Sequence, residues 1–339
     1  MTDTIDASIV ICAHTIDRWN DLKLAVASVR SQMPPPREII VVVDNNEELR
    51  ERAARTIAGA TVLANEGPAG LSGARMTGAT HAGGAVIAFL DDDAAAEPGW
   101  LAALLDAYRD PAVLGAGGPV EPLWQAPPPS WFPDEFLWVV GCTYAGMHVH
   151  EGRIRNPVGA NMSVRAEVLR GAGGFTSDLG RRKLGFSVSG KARIGGKAES
   201  CEETEFCIRT ASLYPGDYWA YCSGARVRHC VPAQRTTWRY FVHRCLVEGT
   251  AKAVLSGLAG PSNNGLGTEG RYVREVLTRA LARNLLAAIR GDARTLGRAG
   301  AIVAGLALTV FAYTGTRLCG TVPARSAGAV VRAEVGPAG

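Results

Sequence analysis

The sequence has no CxxC pair and no paired spacing of a zinc site, although it holds eight cysteines, at 12, 142, 201, 207, 222, 230, 245 and 319. That excludes a zinc-ribbon module and leaves reduced, mostly structural thiols of a cytoplasmic protein as the expectation. No apolar run reaches the about 18 residues of a membrane span. The longest, Ala299 to Tyr313, is short and contains two glycines. The N-terminal MTDTIDAS is polar and acidic and runs straight into an apolar segment, so no secretory leader is expected. Net charge is only +4 over 339 residues, too little for a dedicated nucleic-acid binder, and nucleic acid is not an expected partner. No internal repeat and no Ser-His-Asp signature stand out.

What is present is an ordinary globular composition, 47% hydrophobic and 20% charged. Ser8–Ala13 (SIVICA), Glu38–Val43 (EIIVVV), Thr61–Ala64 and Ala85–Leu90 (AVIAFL) read as strands. Helical spacing over 21–32, 47–58 and 71–82 separates them. Strands alternating with helices at this pace predict a parallel doubly wound α/β sheet with both faces covered. The rhythm breaks after Asp110. The segment 119–133 is rich in proline and aromatics, 156–164 (NPVGANMSV) returns as a strand-like piece, and 171–197 reads as a Gly-, Lys- and Arg-rich mobile loop. Helices are expected again over 202–213, 238–255 and 268–290, the last long and amphipathic.

Three consecutive aspartates, Asp91, Asp92 and Asp93, end the AVIAFL strand. Open α/β sheets bind ligands at the carboxyl ends of their strands. Adjacent carboxylates repel unless a cation stands between them, and hard oxygen ligands suit Mg²⁺ or Mn²⁺, which would bind a diphosphate. The alternative is a cluster at the N-terminus of the helix beginning near Trp100. Asp44 ends the second strand and offers acceptors to a base or ribose, or makes an Asx turn with Asn45 and Asn46. The glycine-rich stretch from Asn65 to Gly73 leads into a helix with Arg75 one turn in, an anion site by residue type. Glu202, Glu203 and Glu205 open another helix, where a carboxylate either complements the helix dipole or serves as a general base. His229 follows a β-like run. Trp124, Trp131, Trp138 and Tyr144 offer faces for a sugar, or anchor an irregular loop.

In their order these pieces resemble the family 2 glycosyltransferases, over about 7–252. The markers are Asp17-Arg18-Trp19 after the first strand, VVVD ending at Asp44, GLSGAR, AFLDDD, NPVGANMSVR, EETEFCIR and VRHCVP. The resemblance implies the GT-A fold, a doubly wound mixed sheet with a C-terminal helical appendage. It also implies inversion at the anomeric carbon and transfer from a nucleotide sugar, with a UDP-sugar as the expected donor. The nucleotide site it implies comprises Ala13, His14, Arg18, Asp44, Gly73, Arg75, Asp91 and Asp92. The metal, Mn²⁺ or Mg²⁺, falls to Asp91, Asp93 and His229. Glu203 stands at the catalytic base, a glutamate where the family usually has aspartate, with Glu202 as rival. Asn161, Trp131 and Glu202 are assigned to the sugar or acceptor side. The domain expectation is a catalytic unit over 1–255, divided near 115 into nucleotide and acceptor halves, then helices over 266–318 and a disordered tail over 319–339.

Membrane-embedded processive synthases of the same clan carry QxxRW, whereas Gln234-Arg235-Thr236-Thr237-Trp238 has another order. A single transfer is therefore expected, to a lipid-linked or cell-surface glycan. Arg271, Arg274, Arg279, Arg283, Arg290, Arg294 and Arg298 flank apolar positions, so this region either lies on an anionic cytoplasmic membrane face or packs on the catalytic unit. The competing classes are a sugar-phosphate nucleotidyltransferase, a haloacid-dehalogenase-like phosphatase and a silent nucleotide-sugar binding module. The first wants a glycine-rich basic signature after strand one, the second DxDx[TV] there, and the third a lost DxD or base. The residues present match none of these.

Overall fold

The computed structural model describes residues 5–147, 149–150, 152–176, 186–188, 192–194, 202–259 and 267–318. Most of the stretch 171–197 read as a loop, and the tail 319–339, lie outside the described residues. The central sheet has eight strands in the order β3-β2-β1-β4-β9-β6-β12-β8. Its first half is parallel: β1 (Ala7–Ala13), β2 (Glu38–Val43), β3 (Thr61–Ala64) and β4 (Val86–Asp91). The direction then changes, because β9 (Asn161–Arg165) runs antiparallel to both β4 and β6 (Val113–Gly117). β12 (Tyr218–Tyr221) returns parallel to β6, with β8 (Arg153–Ile154) at the edge. The sheet is mixed, as the GT-A resemblance implied, whereas the strand–helix alternation alone predicted a parallel one.

The apolar runs form strands because both faces are covered. In β4, Val86, Ala88 and Leu90 enter one core, while Ile87 and Phe89 enter the other. The same alternation puts Asp91 on the Phe89 side, beneath which α3 (Leu71–His81) contributes Ala74 and Ala79. Helices α1 (Trp19–Arg30) and α2 (Glu47–Thr56) cover the opposite face, with Leu22, Val26, Leu49 and Ala53 buried. Periodicity located β1 to β4 within two residues at either end. It did not find β6, whose Gly-Ala-Gly end carries little strand signal, or β12, which is only four residues long.

A small second sheet, β5 (Ala94–Ala96), β13 (Val227–Val231) and β7 (Val120–Trp124), stands at the carboxyl end of β4. His229 lies inside β13 rather than past a strand, paired with Ala94. β10 (Phe186–Val188) and β11 (Ala192–Ile194) form a separate hairpin. Beyond α4 (Trp100–Ala107) and α5 (Ala166–Gly171), α6 (Glu202–Leu213) carries the acidic triplet in its first turn.

The C-terminal layer is α7 (Trp238–Ala259), then α8 in three consecutive pieces, Gly267–Arg271, a π-helical Tyr272–Leu277 and Thr278–Ile289, and finally α9 (Arg294–Leu318). The apolar run of 299–313 is thus the middle of a 25-residue helix. Among the described residues α9 is long and apolar enough to cross a membrane, with 33% of its most apolar window buried. This corrects the expectation that no segment reaches that length, since a helix tolerates the two glycines that interrupt the run. α9 packs on α7 through small residues: a Cβ on Gly249 would stand 2.2 Å from the Thr309 carbonyl oxygen. Ala301, Ile302, Leu277 and Ala280 join Phe136, Phe241 and Val231 in a third core.

Candidate active site

Asp91 ends β4, and the turn into β5 carries Asp92 and Asp93. Pairing of β13 with β5 brings His229 across this turn. Asp91, Asp93 and His229 each present one ligand atom, all within 4.8 Å of one another. Two carboxylates and an imidazole suit a divalent transition ion such as Mn²⁺ better than an all-oxygen site would. His229 Nε2 lies 3.2 Å from Asp93 Oδ1, and its Nδ1 is 3.9 Å from Cys142 Sγ.

Two arginines complete the charge balance. Arg18 Nη1 donates to Asp92 Oδ1 at 2.8 Å and stands 3.2 Å from Asp93 Oδ2, which Arg235 approaches at 3.7 Å. Burial would raise the Asp93 carboxyl, but the hydrogen bond and charge of His229, with Arg18 and Arg235, hold it at about 2. Asp92 shows the opposite balance: burial dominates and pushes it up to about 7, despite Arg18. Asp92, for which a nucleotide role is expected, is 3% exposed and braces Arg18 in this structure.

Arg75 is 1% exposed, because α3 runs beneath the sheet and seats its guanidinium against the rings of Phe89 and Phe175, which pack edge-on to each other. Its Nη1 donates to Glu203 Oε1 at 2.6 Å, and its Nη2 to Gly159 O at 3.2 Å and Asp91 Oδ1 at 3.5 Å. Burial opposes its charge, but Glu203 and Asp91 more than offset that and raise its pKa. Where a diphosphate contact is expected of Arg75, the side chain in this structure is buried and ties Glu203 to Asp91. Glu203 stands on the first turn of α6, its side chain 12% exposed. A Cβ on Gly159 would sit 2.1 Å from Glu203 Oε1, so a side chain there would displace the carboxylate from this position.

At the other end of the sheet edge, Asp44 accepts from Asn65 Nδ2 at 2.6 Å and from the Gly70 amide at 2.9 Å, holding the glycine-rich loop. A Cβ on Gly73 would lie 1.8 Å from the Pro68 carbonyl oxygen, so this glycine serves the fold of that loop. Ala13 is buried at the end of β1, where its carbonyl accepts the Asp44 amide, and His14 beside it is exposed.

The structure removes three side chains from the sugar side. Asn161 is wholly buried, accepting from Trp100 Nε1 and donating to the carbonyls of Pro119 and Ala225. Trp131 packs edge-on against Trp238 and Phe241 under the C-terminal helices, the anchoring alternative for that aromatic segment. Glu202 is 3% exposed and does not line the cavity that Glu203 lines.

That cavity, of about 760 Å³, begins at Asp91, Asp93, His229 and Glu203 and extends between α7, α8 and α9. Sequence reasoning missed Arg235, Arg155, Lys252 and Glu269 on its walls. Arg235 had a signal, a basic residue shortly after VRHCVP, but the other three are joined only by tertiary structure. The six described cysteines, 12, 142, 207, 222, 230 and 245, are free thiols.

The model of the family "Glycosyl transferase family 2" matches residues 8–171. The glucosyl-dolichyl phosphate glucuronosyltransferase of Haloferax volcanii is 34% identical over 252 residues, 73% of this chain and 76% of that protein. The polypeptide N-acetylgalactosaminyltransferase 15 of Mus musculus is 36% identical over 112 residues, 31% of this chain but only 17% of that protein. Among solved structures, the mannosyltransferase PcManGT from Pyrobaculum calidifontis, in complex with GDP-Man and Mn²⁺, covers 89% of this chain and 87% of its own. Its TM-score is 0.55 at 18% sequence identity, a likeness of fold.

Proposed function

The chain belongs to glycosyl transferase family 2 and is a glycosyltransferase of the GT-A fold, and from that premise we propose an inverting transfer of one sugar from a UDP-sugar to a hydroxyl of a lipid-linked glycan. The observation that carries this reading is the convergence of Asp91, Asp93 and His229 on the cavity that Glu203 also lines. Asp91, Asp93 and His229 would hold the divalent ion, which when bound neutralises the leaving diphosphate. Arg18 and Arg235 add positive charge on the same side. Glu203 takes the proton of the acceptor hydroxyl, and Arg75 fixes the carboxylate's direction. The new C–O bond forms at the anomeric carbon as the bond to the diphosphate breaks on the opposite face, so configuration inverts. Asp44 and the loop it anchors form the base end of the donor site.

The protein works at the cytoplasmic face of a membrane, held there by α8 and α9. Leu285, Leu286 and Ile289 on α8 and Leu296, Val303, Val310, Phe311 and Leu318 on α9 are exposed, Ile289 at 83%. Residues 296, 303 and 310 recur every seven positions, so they line one side of α9 while Ala301, Ile302 and Gly305 face the core. Exposed arginines 279, 290, 294 and 317 surround this stripe, the arrangement of an interfacial helix on anionic lipid.

The name of the Haloferax relative makes glucuronosyl transfer to a glucosyl lipid phosphate the first reaction to assay. With UDP-glucuronic acid, Mn²⁺ and that acceptor, the expected product carries an inverted anomeric centre by NMR. A product of retained configuration rejects the single displacement.

A further inference from the structure

Beyond Glu203 the cavity continues as a chamber between α7, α8 and α9, and four half-buried tyrosines stand in its wall: Tyr144, Tyr240, Tyr272 and Tyr313. Two of them spend their hydroxyls on the protein. Tyr272 donates to the Glu135 carbonyl, and the Tyr313 hydroxyl lies 3.3 Å from Ser256 Oγ. The other two do not. Among the described residues, neither the Tyr144 nor the Tyr240 hydroxyl has a hydrogen-bond partner. A tyrosine hydroxyl drawn out of bulk water ordinarily finds one, so two open hydroxyls in one chamber mark where a ligand, or water in its place, must bond. The charged groups alongside are not open in this way. Lys252 Nζ and Arg155 Nη1 both donate to Glu269 Oε1, at 2.9 and 2.7 Å, and Glu248 stands 3.1 Å from Lys252.

Of the two open residues, Tyr144 is the better fixed. Its ring packs edge-on against Tyr272, with centroids 5.4 Å apart at 79°, so the anchored ring steadies the open one. The residues on either side are pinned by backbone: the Thr143 amide donates to Val120 O at 2.9 Å and the Ala145 amide to Asp134 O at 3.1 Å. Tyr144 also follows closely on the seat of His229, because a Cβ on Gly141 would stand 3.4 Å from that ring. Three residues of chain span at most about 10 Å, which ties Tyr144 to the metal end of the cavity. Burial raises the pKa of its hydroxyl, on which Lys252, Arg155 and Glu269 also act, so the group remains a donor at neutral pH. Arg155 in turn stands four residues from Gly159, against which Glu203 rests, and all of these line the same cavity.

Resting on the transferase reading above, we infer that Tyr144 is a specificity-determining residue of the acceptor site: its hydroxyl bonds to one hydroxyl of the acceptor sugar while Glu203 takes the proton of another. A sugar suits the position because its rigid ring offers hydroxyls in fixed directions, whereas an aliphatic chain leaves the Tyr144 and Tyr240 hydroxyls unmet. The sugar read is the acceptor's and not the donor's, because Tyr144 packs on α8, away from the strand ends that carry the nucleotide. A site built to bond one hydroxyl discriminates against a sugar that lacks it. Two fixed contacts also decide which hydroxyl faces Glu203, and hence which linkage forms.

The test compares the full chain with Tyr144→Phe in the transfer assay above, with UDP-glucuronic acid, Mn²⁺ and a glucosyl lipid phosphate. The change keeps the ring and its contact with Tyr272, so only the hydroxyl is lost. The acceptor KM is expected to rise about tenfold, with the KM for UDP-glucuronic acid and the affinity for UDP within about twofold. Acceptors that each lack one glucose hydroxyl then complete a cycle with the variant. One deoxy acceptor that is still a substrate is expected to be about tenfold poorer than its parent with the wild type and equal to it with Tyr144→Phe. If every deoxy acceptor loses as much with the variant as with the wild type, the contact is overturned. An unchanged acceptor KM overturns it as well, and leaves the transferase reading standing. A rise in the donor KM instead overturns the assignment to the acceptor. Absence of transfer by the wild type falls on the transferase reading and takes this inference with it.

Discussion

The sheet-end site and the C-terminal helical layer solve two recognition problems by different physical means. At the sheet end, charged groups are fixed by backbone: Asp91 by the last register position of β4, His229 by its pairing with Ala94, Glu203 by a first helical turn against Gly159. Glu203 has a short, directional partner in Arg75, and His229 has one in Asp93. In the helical layer the ion cluster of Glu269 with Lys252 and Arg155 is as directional, but α9 is built otherwise. α9 is apolar nearly all round, and its three faces divide between the core, the chamber and the outside. Chemistry that must hold atoms in place is built on strand ends, whereas a surface for a fluid, aliphatic partner needs only the right polarity along a helix.

The comparison is broken most severely at the metal site. Asp93→Ala removes a ligand together with the partner of His229, Arg18 and Arg235. Its expected effect is a fall in kcat/KM of at least about a thousandfold, with metal-dependent nucleotide binding lost in the same protein. If the aspartates merely complemented the start of α4, the same change would cost only about 1 kcal/mol of stability and leave activity in place.

Next in size is Glu203→Gln. The amide still accepts from Arg75 but takes no proton, so turnover should fall about a hundredfold or more while UDP affinity stays within about twofold. An active Glu203→Gln enzyme would remove the residue from the role of base. Arg75 cannot be tested as simply, because deleting it strands two carboxylates against buried aromatic rings.

A third test moves to the helical layer. Burial would raise Glu269, but Lys252 and Arg155 hold it at about 2, well below its ordinary 4.5. Between these values the unfolded chain binds the proton and the folded chain does not. The ion cluster's stabilisation is therefore complete above the unfolded pKa and is lost as pH falls towards the folded one. Partial exposure limits this to about 2 kcal/mol. Thermal unfolding should show Glu269→Gln losing less stability than the wild type between about pH 5 and about pH 2. Parallel curves would mean that the cluster does not gain its stability from that carboxylate.

The smallest effect is expected outside. Ile289→Glu with Val303→Glu alters only exposed positions. Sedimentation with vesicles containing anionic lipid should show binding weakened about tenfold, with the unfolding temperature little changed. Equal partitioning would assign the exposed stripe to something other than a bilayer.

The two regions were not equally legible in the sequence. Runs such as EIIVVV and AVIAFL declare buried parallel strands, and a carboxylate at the end of such a run declares a ligand site. That is why β1 to β4, Asp91 and Asp93 followed from the order of residues. Arg75 looked like a phosphate contact because a basic residue one helical turn past glycines is an anion site by type. Only the alternation of β4 and the path of α3 show it turned inward to Glu203 and Asp91. Asn161 likewise reads as a sugar ligand, and only the closure of β9 against β6 shows its amide saturated by Trp100, Pro119 and Ala225. For α9, hydropathy registers how apolar the helix is and not which face is covered. The chamber is unreadable for the same reason: Arg155, Lys252 and Glu269 meet from three distant segments.

The most direct measurement is calorimetric titration of UDP into the full chain with Mn²⁺ and again with a chelator, alongside Asp93→Ala. The account predicts one site with Mn²⁺, weakened at least about a hundredfold by the chelator, and no binding in the variant. UDP binding of equal strength with the chelator, or in a folded Asp93→Ala protein, would contradict it.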